Sequence, residues 1–232
     1  MTVRASLSKI LAVAVAAASL LSMAAVGSPA SAGADVRATV FVVHGIPGQR
    51  VDVCITGLGE VASRLAYAER FKKRLDPGTY TMKVRTVSRA ECRGDVITKT
   101  TLDLADLENL TAVIRFVEGD PGVTKFANDM SATPGGQIRL VAAHMMKGAA
   151  VDVWANGVVE IADLARGGVE SVNLPAGDVY SVWASKVNES APIVGPRVID
   201  NTAQGQTFTF VMVGTRVANN RVVVFKQDVG TI

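Results

Sequence analysis

The run Arg50-Val51-Asp52-Val53-Cys54-Ile55 decides the fold class, because an extended chain sends Val51, Val53 and Ile55 to one face and Asp52 and Cys54 to the other. Tyr80-Thr81-Met82-Lys83-Val84-Arg85 alternates in the same way, as does Thr207-Phe208-Thr209-Phe210-Val211 and, less cleanly, the stretch 96–102. Turn formers punctuate these segments: Pro77-Gly78, Asp120-Pro121-Gly122, Asn156-Gly157 and Asn219-Asn220. Outside the N-terminus no convincing helical pattern of about ten residues survives.

The same stretch also occurs twice. His44 followed by Val51-Asp52-Val53 returns as His144 followed by Val151-Asp152-Val153, and Gly57 returns as Gly157, an offset of 100 residues. Leu75-Asp76-Pro77-Gly78-Thr79-Tyr80 is answered by Leu174-Pro175-Ala176-Gly177-Asp178-Val179-Tyr180. Phe126-Ala127-Asn128-Asp129 is answered by Phe225-Lys226-Gln227-Asp228. Collinear matches of this kind mark an internal repeat. They predict two copies, 36–129 and 137–229, joined by a Ser/Pro/Gly-rich linker at 130–136. With about seven short strands in each, the expected architecture is all-β: two tandem immunoglobulin-like antiparallel β-sandwiches.

The N-terminus reads as an export signal. Arg4 and Lys9 precede an apolar run from Ile10 to Val26, and the small residues Ala30-Ser31-Ala32 follow, placing cleavage after Ala32. The 17-residue run sits at the short end of what spans a membrane, so a cleaved signal is favoured over an anchor, with no stable membrane insertion afterwards. Cleavage removes two basic residues and no acidic one, so 24 basic residues become 22 against 21 acidic ones, and the net charge falls from +3 to +1. The nucleic-acid reading that the basic balance invites is thereby withdrawn. Arg70-Phe71-Lys72-Lys73-Arg74 is the one dense basic run, and it reads as an edge strand guarded against further pairing.

Val42-Val43-His44-Gly45-Ile46-Pro47, the Val51-Asp52-Val53-Cys54-Ile55 strand and the Leu75–Tyr80 turn together resemble the bacterial exported family called domain of unknown function 4397. The resemblance covers two tandem copies. It implies export, a β-sandwich and cell-envelope association, and supplies no catalytic residue. The second copy departs from the pattern at Lys147, where the first has Pro47.

Cys54 and Cys92 both fall in the first copy, and the second has Trp154 in place of Cys54 and no cysteine near Pro192. Their joint presence and the oxidising destination favour a disulfide. The alternatives are a free thiol pair or a redox site, the latter lacking Cys-x-x-Cys spacing. His44 and His144 occupy matched strand ends, near Asp52 and Asp152. A metal site usually needs three or four donors, so the favoured role is a ring tied to a loop carbonyl or carboxylate, with no metal and no cofactor expected.

Hydrolytic motifs are missing from the sequence, and the closeness of Asp103 and Asp106 in sequence says nothing about the carboxylate separation that glycoside hydrolysis requires across a cleft, so no enzyme is expected. Trp154 and Trp183 are the distinctive residues. Alternation sends both outward on a polar face of the second copy, as a flat platform for a ligand unless a loop or the other copy covers them. The expected function is a secreted or cell-surface binding module for a wall polymer or surface protein. An inert structural spacer is the second reading, and a hydrolase with an unrecognised site the third.

Overall fold

Sixteen strands carry the described residues, 36–200 and 202–227, in a computed structural model. The expected signal peptide and its cleavage point after Ala32 lie outside them. The first eight strands are β1 (Ala38–His44), β2 (Val51–Ile55), β3 (Gly59–Leu65), β4 (Arg70–Leu75), β5 (Gly78–Thr86), β6 (Val96–Leu104), β7 (Asn109–Val117) and β8 (Asp120–Ala127). The second eight are β9 (Gln137–His144), β10 (Val151–Ala155), β11 (Val158–Leu164), β12 (Val169–Pro175), β13 (Tyr180–Lys186), β14 (Pro192–Ile199), β15 (Thr207–Val213) and β16 (Arg221–Gln227). Each half thus has eight strands rather than about seven. β3 and β11 escape a search for clean alternation because their registers shift opposite Val53 and Val153.

Four four-stranded sheets result, ordered β4-β1-β7-β8 and β3-β2-β5-β6 in the first half, β12-β9-β15-β16 and β11-β10-β13-β14 in the second. The second half repeats the strand order of the first. The pairing is antiparallel except where β1 meets β7 and β9 meets β15, which run parallel. The charged strand Arg70–Leu75 lies at a sheet edge, as its lysines and arginines suggest.

Each half closes over its own apolar layer. Val40, Val42, Val51, Val53, Met82, Val84 and Ile114 fill the first. Ile138, Leu140, Val151, Val153, Val182, Phe210 and Met212 fill the second. A third layer lies between the halves, where Phe41, Val43 and Val113 meet Ala143, Met145, Val213 and Phe225. The Phe41 and Phe225 rings stack with centroids 4.6 Å apart, and the Arg70 guanidinium covers both. The two halves therefore belong to one compact unit, more closely joined than a linker alone would make them. The linker is itself tied down: Arg139 pairs with Asp129 at 3.0 Å and donates to the Ser131 carbonyl.

Candidate functional site

The matched histidines close loops. Each sits at the end of a central strand, wholly buried. His44 Nε2 lies 2.9 Å from the Gln49 carbonyl oxygen, and His144 Nε2 lies 2.8 Å from that of Ala149, so in each ring this nitrogen carries the donated proton. The Nδ1 atoms find no partner among the described residues. Burial, the dominant influence, lowers both imidazole pKa values, and for His144 the charges of Arg115 and Arg166 lower it further.

Asp52 and Asp152 hold a second pair of loops rather than joining the histidines. Asp52 accepts N–H bonds from Arg64 at 2.8 Å and Ser88 at 3.0 Å. Asp152 accepts from Asp163 at 2.9 Å and Asn188 at 3.0 Å. Outward pointing, the sequence expectation for these carboxylates, is correct for the strand; burial follows because the loops fold back over them. Asp103 accepts a bond from the Thr79 hydroxyl at 2.9 Å on an exposed strand.

The outer faces of the two outer sheets differ most. In the first half Cys54 is bonded to Cys92, with their Cα atoms 6.0 Å apart. The bond fastens the segment 87–95, between β5 and β6, over β2. Glu91 accepts the Glu60 N–H at 2.7 Å and Arg85 donates to the Gly94 carbonyl at 2.6 Å, so the cover is held at several points. Cys54 is buried beneath it.

In the second half the corresponding segment is only 187–191, four residues shorter, and Trp154 and Trp183 stand where the first half has Cys54 and Lys83. They are directly opposed across β10 and β13, with ring centroids 5.8 Å apart and planes 6° from parallel. Rings so close and so nearly parallel overlap in an offset stack. The pair is therefore stepped, not a flat pavement. Both rings are partly exposed.

Neighbouring strands extend the row. Val159 lies opposite Trp154 on β11. On the other side, β14 approaches Trp183 at Gly195, where a Cβ would come within 3.0 Å of the Trp183 Cα and 2.9 Å of the Val182 carbonyl. Only glycine fits there, and its φ of +90° also favours glycine. Trp154 Nε1 donates to the Ser185 hydroxyl at 2.9 Å, whereas Trp183 Nε1 finds no acceptor among the described residues. Val158, Val159 and Val198 on the flanking strands and Val179 in the preceding turn add exposed apolar surface to this half. Neither Gly195 nor the valines carry a sequence signal that distinguishes them from ordinary strand residues.

Among the described residues no group of three potential ligand side chains converges on a metal position, and no helix is long and apolar enough to cross a membrane.

A family model described as domain of unknown function (DUF4397) matches residues 38–154. No curated protein matches the chain. Among solved structures the chain is similar to the Bacillus anthracis TIE protein, with 11% identity and a TM-score of 0.25 over 82% of this chain and 34% of that one. It thus spans about a third of that chain's length. It is also similar to CBMbc, a family CBM26 module from Eubacterium rectale Amy13K solved in complex with maltoheptaose, with 12% identity and a TM-score of 0.26 over 83% of this chain and 99% of that one. Scores at this level leave the ligand to be argued from the residues of this chain.

Proposed function

From the premise that the chain belongs to the domain of unknown function family DUF4397, we propose that it is an exported, non-catalytic protein of two tandem copies, 36–129 and 137–229, whose second copy binds a cell-envelope component. The ligand is a wall polymer or a surface protein, and the binding face is built on Trp154 and Trp183. One observation carries this reading: the outer sheet is closed by a disulfide-fastened segment in the first half and left open, with a stacked tryptophan pair, in the second. Partly exposed aromatic rings among exposed valines bury much apolar area when a partner covers them. Export after cleavage at Ala32 to an oxidising, secreted or cell-surface location accords with the Cys54–Cys92 bond.

The test is capture of envelope material from the producing cell by residues 33–232. Retention that Trp154→Ala with Trp183→Ala abolishes supports the reading. Absence of retention by the unsubstituted protein favours the inert spacer instead.

A further inference from the structure

Positions where the second half departs from the first meet at one pocket. Lys147 stands where the first half has Pro47. Arg166 stands where it has Tyr67, because Leu164-Ala165-Arg166 ends β11 as Leu65-Ala66-Tyr67 ends β3. Both line a pocket of about 470 Å³, together with Arg216 and Thr215 from the second half and Phe116 and Glu118 from the first. A smaller pocket of about 220 Å³ shares Lys147 and Arg216 and adds Lys186.

The cations are placed by the fold. Arg166 donates from Nη2 to the Phe116 carbonyl at 2.8 Å, across the seam between the halves. Arg115, on β7, is 9% exposed; its Nε donates to the Thr124 hydroxyl at 2.6 Å. Its Nη2 lies 3.2 Å from the point where a Cβ on Gly167 would project, so the guanidinium rests against the turn that carries Arg166. Burial, and then the Arg166 charge, lower its pKa. Among the described residues, Arg115, Lys147, Arg166 and Arg216 make no ion pair. Glu118 is the one acid in the larger pocket's lining. The Thr215 hydroxyl accepts from Asn219 Nδ2 at 3.1 Å, which leaves its own proton to donate.

Lys147, Arg166 and Arg216 are exposed around the pocket, and Arg115, outside its lining, is nearly buried behind the turn that carries Arg166; like charges this close repel one another until an anion joins them. The fold provides one carboxylate for at least three lining cations. We propose that this pocket binds a phosphate-type oxyanion, either free or carried as the phosphodiester of a polymer. Guanidinium, ammonium and hydroxyl donors arriving from separate loops suit the tetrahedral spread of oxygens around phosphorus better than a planar carboxylate.

The site is separate from the tryptophan face, and its test does not depend on that face. The full chain is titrated calorimetrically with inorganic phosphate against chloride at matched ionic strength, and then with a glycerol-phosphate polymer. Saturable phosphate binding is expected, weakened at least tenfold by Lys147→Gln with Arg216→Gln and unchanged by Trp183→Ala. An unchanged denaturation midpoint in chloride shows that the substituted chain still folds. Displacement of phosphate by the polymer assigns the site to the carried group; phosphate binding without displacement assigns it to the free anion. Phosphate heats no larger than those of chloride, or equal affinity in the Lys147/Arg216 variant, would overturn the proposal.

Discussion

His44 and His144 show how a residue type that suggests chemistry can hold a loop in place. Each ring is buried and bonded through Nε2 to a carbonyl five residues on, which sets the path of the loop into the next strand. Burial holds both pKa values below the ordinary imidazole value, so the folded chain takes up protons less readily than the unfolded chain. Stability is then fully present above about pH 6.5, the unfolded value, and is lost progressively as pH falls toward the lowered folded values. Urea unfolding between about pH 7.5 and pH 5.5 should show this decline, and His44→Gln with His144→Gln should reduce its slope. An unchanged slope in the double variant contradicts the assignment. The histidine role was legible in the sequence because both residues recur at the same strand end with no further ligand nearby. Their depth was not, since burial depends on loops that fold over the strand ends.

In strand β2 alternation gives the facing of each residue and leaves its burial undetermined. Val51, Val53 and Ile55 enter the core as alternation requires, yet Asp52 and Cys54 are also buried, the first by loop N–H groups and the second by the segment 87–95. Period two shows which side a residue faces and nothing about what lies over that side. The disulfide is one of several points that hold the cover. Closing a loop of 38 residues should contribute about 4 kcal/mol on the chain-entropy model. Cys54→Ala with Cys92→Ala should therefore lower the denaturant-derived stability by about that amount, whereas a loss below about 1 kcal/mol would mean that the cover is held by Glu91 and Arg85 alone. In the second half, beneath the shorter segment 187–191, the equivalent positions Trp154 and Trp183 are partly exposed. The paired cysteines and tryptophans were visible in the sequence, but the stacked geometry of the rings needed the register that opposes them.

At the scale of the molecule, the repeat predicted two similar halves and the structure adds the apolar layer between them. The signal for that layer was present in β1, where Val40-Phe41-Val42-Val43 is apolar on both faces, and in Leu140-Val141-Ala142-Ala143 of β9. Continuous runs of this kind belong to strands covered on both sides. A search for alternation passes over them. Because Phe41 and Phe225 seal the layer, calorimetry should show the halves unfolding in one transition, and Phe41→Ser with Phe225→Ser should split it into two. Two transitions in the unsubstituted protein would contradict a cooperative seam.

The inner sheets pack at that seam, and the outer sheet of the second half is the face we propose for a partner. The most direct measurement is an equilibrium isotherm of residues 33–232 on isolated envelope material, run beside Trp183→Ala and beside Lys83→Ala, which alters the corresponding position of the first half. The account requires saturable binding that Trp183→Ala weakens at least about tenfold, about 1.4 kcal/mol, and Lys83→Ala leaves unchanged. Equal binding by all three proteins, or none by any, would contradict it.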